Sequence, residues 1–321
     1  DFLNNTPISL DVLKEDTLLC IKIMLKNGEN TSMVEIRGTH TNIVKMEKDG
    51  FVVLDNDCLE SNKNVETLFN EMTIQSIYDF ACSLDCNDLK DCLLRQVKYN
   101  HNIALEGLKG QYGANIGRVI LETEGDSVRN RAKAMAAAGS DARMSGSEMP
   151  VIINSGSGNQ GITISLPVYE YAKHLNVNED TFVRALALAN LIAIHIKRGI
   201  GSLSAFCGAV SAGCGAGAGV AFLHDGDYNC IAHTVSNSLG ILSGTICDGA
   251  KASCAAKIAY AVDAGILGYF MYTKGKEFYR GDGIISNNVE KTIKNIYRLG
   301  KLGMAQTDKE ILSIMTDDVC D

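Results

Sequence analysis

The chain has 321 residues, a net charge of −8 and a pI near 5.3, with 46% hydrophobic and 21% charged residues. That length supports one large or two ordinary domains, and the acidity removes the basic footprint that a nucleic-acid binder needs. No apolar run reaches the roughly 18 uncharged residues of a membrane span and no signal-peptide pattern opens the chain, so no membrane contact is expected. Eleven cysteines, an odd number at this size, point to a reduced cytoplasmic setting with metal-binding, catalytic or core thiols rather than a disulfide framework.

The first 57 residues read as an antiparallel β unit. Thr17–Leu25 is strand-like, Lys26–Asn30 is a turn, and 32–38 alternates again. Asn42–Glu47 and Phe51–Leu54 flank Lys48-Asp49-Gly50, a second hairpin signal. His40 sits at a strand end among Thr39, Thr41 and Asn42, where it either faces a cleft or is an exposed loop histidine. Residues 64–110 turn helical, with Val65, Leu68, Phe69, Met72, Ile77 and Phe80 at three-to-four spacing. Cys82 and Cys86 have a metal-like spacing but no second pair. The stretch from Gly107 to Asn115 reads as a domain boundary.

Ser127–Gly146 contains an Ala-rich helix for which Gly139 fits a C-cap. Arg129, Lys133 and Arg143 can form a cationic rim for an anionic substrate, or simply a solvated helix face. A short apolar run then leads into Asn154-Ser155-Gly156-Ser157-Gly158-Asn159-Gln160-Gly161. This loop offers many N–H, amide and hydroxyl groups, the composition of an anion-binding concavity before a helix. It lacks the Gly-Lys-Ser/Thr of a phosphate loop and the dinucleotide spacing, which leaves a carboxylate as the expected anion. Asn154, Ser155, Gly156, Ser157, Gly158, Asn159 and Gln160 are therefore the substrate-binding candidates.

From Pro167 onward the chain reads all-α, with Pro167 and Thr181 as helix starts. Phe182–Ile196 is apolar nearly all round, a buried helix ending on the core histidine His195. Cys207 and Cys214 lie seven residues apart, as do Cys247 and Cys254, among mostly small residues. On a helix each pair shares one face about 10 Å apart, too far for a disulfide and within reach of a multi-atom cluster. Close helix packing explains Cys214 equally well but explains Cys247-Asp248-Gly249 poorly. Ala255–Tyr272 is another small-residue helix, Val289–Met304 is amphipathic with a Gly300/Gly303 break, and a last helix spans Thr307–Met315.

Three motifs together resemble the L-cysteine desulfidase family, which is related to the α chain of iron–sulfur L-serine dehydratases. They are Asn154–Ile162, Cys207-Gly208-Ala209 with Ala212-Gly213-Cys214-Gly215-Ala216, and Cys247-Asp248-Gly249-Ala250-Lys251-Ala252-Ser253-Cys254-Ala255. The resemblance runs from about residue 15 to residue 315. It implies a [4Fe–4S] enzyme held by Cys207, Cys247 and Cys254, with Cys214 in a packing role, that converts L-cysteine and water to sulfide, ammonia and pyruvate. L-Serine dehydration at the same site and a non-catalytic iron–sulfur module are the alternatives. A pyridoxal phosphate lyase lacks any lysine in a recognisable Schiff-base context. Lys251, which can also pair with Asp248, and His40 are the candidates for the general base. Family members carry a Gly-Cys-Thr-Glu-Pro motif, with a catalytic cysteine, that this sequence does not contain. The expected architecture is α+β, with a small antiparallel β/α domain over 1–110 and a large helical catalytic domain over 111–321. The expected partner is a small amino acid, and a homo-oligomer stays open.

Overall fold

A computed structural model describes residues 5–13, 19–39, 41–56, 71–201 and 203–320. The chain divides into two compact units, Asp1–Asn70 with Leu312–Asp321, and Glu71–Ile311. The α+β class is as expected: a four-stranded antiparallel sheet comes first and helices follow. The helical reading of Val65, Leu68 and Phe69 lies outside the described residues.

The sheet is a meander of β1 (Cys20–Asn27), β2 (Asn30–Arg37), β3 (Ile43–Lys48) and β4 (Phe51–Asp55). Asp49 and Gly50 both adopt positive φ, the turn that matches strand twist, and the Asp49 carboxylate accepts from the Thr31 amide at 2.8 Å. Val34, Met46 and Leu54 line up across the register on one face, while Met33, Glu35 and Val44 are buried.

The large unit holds α1 (Ile74–Ser83), α2 (Lys90–Lys109), α3 (Ile116–Glu124), α4 (Val128–Met144), α5 (Gly158–Leu175), α6 (Glu179–Ile200), α7 (Gly208–Leu223), α8 (Tyr228–Leu242), α9 (Cys254–Thr273) and α10 (Val289–Arg298). A π-helical turn, Leu299–Gly303, breaks the amphipathic segment where the two glycines stand, and α11 (Ala305–Cys320) follows. α7 lies at the centre, packed by α5, α6, α8 and α9, and is buried from Ala209 to Ala221. Its small residues are the reason. A Cβ on Gly213 would stand 2.2 Å from the Ala261 carbonyl oxygen, and one on Gly217 would stand 2.4 Å from that of Gly265. The pairing advances four residues on both helices, so α7 and α9 run parallel and start at the same end. α9 is also long and apolar enough to span a membrane by length and composition, yet it carries Lys257 and Asp263 and packs against α4, α7 and α8.

Three helix boundaries differ from the sequence reading. Gly139 lies inside α4 rather than capping it, and the helix continues to Met144. The glycine lets Ile162 come close: a Cβ at position 139 would stand 2.9 Å from its Cγ2. Pro167 does not start α5 but lies within it; the helix begins at Gly158, and the buried surroundings from Gly158 to Ala172 outweigh the one hydrogen bond that proline removes. α6 likewise starts at Glu179, capped by the Asn178 side chain on the Thr181 amide.

Asp141 ties α4 to α3. It is fully buried, and its Oδ2 accepts from the Gly117 amide at 3.2 Å while Oδ1 has no partner. Burial pushes its pKa up to about 6, against the pull of the Gly117 and Ile116 amides. A folded-state pKa above the unfolded value means protonation stabilises the fold below about pH 4, and that contribution is lost as pH rises through about 6. Asp141→Asn is therefore expected to gain on the wild type by roughly 2–3 kcal/mol between pH 4 and pH 8, read from urea unfolding. A pH-independent difference would show that Asp141 titrates as an ordinary carboxyl.

Candidate functional site

The loop before α5 is a tight, braced turn. Asn154 and Ser157 exchange backbone hydrogen bonds of 3.1 and 3.0 Å around Ser155 and Gly156, whose φ angles are 48° and 80°. Below it runs a ladder of amide side chains. Asn154 Nδ2 donates to Asn190 Oδ1 at 2.9 Å, and Asn190 and Gln96 exchange bonds of 2.9 and 3.0 Å. Asn100 clamps both backbone groups of Ile152 and donates to Ser165. Gly161 completes the turn because a Cβ there would lie 2.0 Å from the Ile152 carbonyl oxygen. Ser157, the N-cap of α5, makes no side-chain cap, so the first amides of the helix point to the loop without a protein side chain on them.

The cysteines come from a second construction. Residues before α7 and before the 248–253 loop form an antiparallel bridge between Phe206 and Ile246. The Cys247 amide donates to the Ala205 carbonyl at 2.6 Å and the Cys207 amide to that of Thr245 at 3.1 Å. The two thiols consequently hydrogen-bond, and Cys254, the first residue of α9, lies within electrostatic reach of Cys207. Neither seven-residue pair occupies one helix face, contrary to the helical spacing argument: Cys207 is an N-cap and Cys247 sits in a loop. Cys214 is buried inside α7 with its pKa pushed up to about 12 by burial, which suits a packing thiol.

The charge at this site is organised around one thiolate. The Cys207 thiol donates to Cys247 and brings the Cys247 pKa down to about 6; the Gly249 amide and the charges of Lys197 and Lys257 add to this, and burial opposes it. Cys207 is pushed upward by the same hydrogen bond and by burial. Among the described residues no three His, Cys, Asp or Glu side chains stand close enough to hold a single metal ion.

The remaining candidates scatter. Lys251 is exposed on the loop joining Cys247 to Cys254, and Asp248 pairs with Lys257 at 2.5 Å. His40 lies outside the described residues. Of the cationic rim, Arg129 forms a two-pronged pair with Asp263, and Lys133 is held by Glu124 and Asp263. Arg143 alone of the three has no carboxylate among the described residues and donates to Asn159 Oδ1 at 3.3 Å. His195 is a core residue, bonded to Glu290 at 3.0 Å.

Two contributions to the site escape sequence reasoning. Lys197 on α6 is only 5% exposed, forms no ion pair with a carboxylate among the described residues, and faces the Cys207 and Cys247 thiols. Burial lowers its pKa while those thiols raise it. Its one sequence signal is position: a lysine in an otherwise apolar buried helix. Gln160, 5% exposed, belongs to the substrate loop by composition but also reaches the cysteines. A Cβ on Gly208 would lie 2.7 Å from its Nε2, and its Oε1 is buried without a partner. The carboxylate loop and the cysteine site are thus one neighbourhood, joined where Gln160 rests on the residue after Cys207.

Comparison with known proteins gives a family match over almost the whole chain. The family profile described as serine dehydratase alpha chain matches residues 16–313. A UPF0597 protein of Desulfitobacterium hafniense is 51% identical over 98% of this chain and 73% of its own length. Those of Lachnoclostridium phytofermentans and Finegoldia magna are 50% and 44% identical, over 92% and 98% of this chain and 71% and 75% of their own lengths.

The loop's rigidity is directly testable. Gly161→Ala forces a Cβ into the Ile152 backbone and is expected to cost about 3 kcal/mol in urea unfolding, the upper end for overpacking. Gly156→Asn keeps a residue that tolerates positive φ, and should cost under about 1 kcal/mol. Equal costs would mean that the close approach at Gly161 relaxes freely.

Proposed function

The chain belongs to the serine dehydratase alpha chain family, and on that premise we propose that it is an iron–sulfur-dependent lyase that eliminates the β-substituent of a small L-amino acid. The favoured substrate is L-cysteine, with water, giving sulfide, ammonia and pyruvate. The observation that carries the reading is the backbone bridge that brings Cys207 and Cys247 together, with Cys254 within electrostatic reach and Gln160 of the Asn154–Gln160 loop resting on Gly208.

The residues fit the cofactor that such chemistry requires. Three thiols, one already biased to the thiolate, with a buried lysine within electrostatic reach of two of them, are the donor type that iron–sulfur clusters take. When bound by Cys207, Cys247 and Cys254, a [4Fe–4S] cluster supplies a Lewis-acidic iron with an open position. Once it holds the abstracted proton, the Lys197 ammonium offsets the charge of the thiolates in a site screened from water. The free amides at the start of α5 and the Asn154–Gln160 side chains take the substrate carboxylate. The orphaned Gln160 Oε1 accepts from the substrate ammonium, so the amino acid spans the two halves of the site. In its amine form, which burial favours, Lys197 takes the Cα proton; the Cα–H electron pair forms the Cα=Cβ bond and HS⁻ leaves from Cβ. The released aminoacrylate tautomerises and hydrolyses to pyruvate and ammonia. Lys197 is preferred over Lys251 because it is buried at the thiols whereas Lys251 is exposed.

L-Serine is the second reading, favoured by the family's own description. The same residues would act, with hydroxide leaving in place of HS⁻.

Anaerobic purification and reconstitution should give about four iron and four acid-labile sulfide per chain. Cys247→Ala should lose that content and pyruvate formation together, and relative turnover of L-cysteine and L-serine assigns the substrate. Full cluster content in Cys247→Ala would overturn the ligand assignment. For the base, Lys197→Met should lower turnover by about 10²–10⁴ with iron content retained, against a few-fold for Lys251→Met. The reverse ranking would return the role to Lys251.

A further inference from the structure

α4 carries four cations, Arg129, Arg131, Lys133 and Arg143, and the structure treats them differently; Arg131 pairs with Asp126 at 3.0 Å and Glu170 at 3.4 Å. Arg129 is neutralised by Asp263 through two bonds of 2.8 and 3.0 Å, and Lys133 by Glu124 at 2.5 Å. Arg143, at the C-terminal turn of α4, is half-buried and without a carboxylate partner among the described residues. It is held in place all the same. Its Nη1 donates to Asn159 Oδ1 at 3.3 Å, and its guanidinium lies so close to the backbone of Gly158 that a Cβ there would stand 2.4 Å from Nε. Cys254 lies within electrostatic reach of it.

The guanidinium therefore stands at the first turn of α5, with the third cysteine of the site within electrostatic reach. In that same first turn of α5, Gln160 is 5% exposed, rests its amide on Gly208 at the start of α7 and leaves Oε1 buried without a partner among the described residues. A partly desolvated cation without a counter-charge is costly to maintain, and an incoming anion offsets that cost. The planar fork of donors on Arg143 matches a carboxylate with two parallel bonds, which a lysine cannot reproduce. The uncapped amides of α5 add the positive end of an 18-residue helix to the same point.

We propose that Arg143 is the residue that selects for a free α-carboxylate: it clamps that group against the start of α5, opposite Gln160, and so fixes which end of the amino acid faces Cys254. This rests on the amino-acid substrate proposed above. Substrates whose carboxylate is absent or amidated lose the clamp, and peptides with the reacting residue in the interior are refused.

The test uses the reconstituted holoprotein and two non-reacting probes, L-alanine and ethylamine, together with steady-state kinetics. In Arg143→Met, KM for L-cysteine and L-serine should rise at least about tenfold with kcat within a few-fold, and L-alanine binding by calorimetry should weaken to match. Ethylamine binding should be unchanged, iron and sulfide content should equal the wild type, and Arg143→Lys should recover part of the loss. Unchanged L-alanine affinity in a variant with full iron content would overturn the proposal. So would a loss of iron in Arg143→Met, which would make the residue a support for Cys254. Should the wild type eliminate neither amino acid, the lyase reading fails by itself, while L-alanine binding still decides the role of Arg143.

Discussion

The structure depends on how closely α7 can approach its neighbours. Gly213 and Gly217 lie against Ala261 and Gly265 of α9, and Gly215 lies against the Ala189 carbonyl of α6, all at separations that a single methyl group would violate. Side chains of ordinary size keep helices 8–10 Å apart, and these faces remove them. The consequence for the site is one of position. Because α7 and α9 run parallel and are locked together six or seven residues beyond their starts, their first residues are brought to one end of the unit. Those residues are Cys207, capping α7, and Cys254, opening α9. The small-residue packing and the cysteine site are thus cause and result.

Onto this frame the chain adds positive charge in a protein whose net charge is −8. The N-terminal ends of α5, α7 and α9 serve the same region, and Lys197, Lys257 and Arg143 stand around it. Each helix start contributes the favourable end of its dipole. At Cys247 the hydrogen bond from Cys207, the Gly249 amide and the charges of Lys197 and Lys257 all favour the thiolate, and burial opposes them.

Rigidity comes from buried amides rather than from apolar packing alone. Gln96, Asn190, Asn154 and Asn100 satisfy one another and the backbone beneath the turn at Ser155-Gly156. A satisfied network of this kind fixes geometry in a low-dielectric setting. Against that background the unsatisfied Gln160 Oε1 and Asp141 Oδ1 stand out. The first faces the site, where a ligand would satisfy it. The second belongs to the α3–α4 junction, where neutralisation of the carboxyl relieves it.

The sequence by itself determined the α+β class, the hairpins at Gly28 and Asp49-Gly50, the buried character of α6 and the break at Gly300/Gly303. These follow from alternation, turn chemistry and composition, which act over a few residues. It also singled out the Asn154–Gly161 loop and the cysteines, because small and polar residues concentrated in so short a span supply donors and close approach in a way that an ordinary helix or strand does not need. Their relation in space was decided only by tertiary structure. The bridge between Phe206 and Ile246 joins segments forty residues apart, Gln160 meets Gly208 across two helices, and Lys197 reaches the thiols from a third. No local periodicity encodes such meetings. The same is true of Pro167, which local rules place at a helix start and which the surrounding core holds inside one. The fate of the four cations on α4 was likewise settled by which carboxylates the fold brought alongside: Asp263 and Glu124 came to Arg129 and Lys133, Asp126 and Glu170 to Arg131, and none among the described residues came to Arg143.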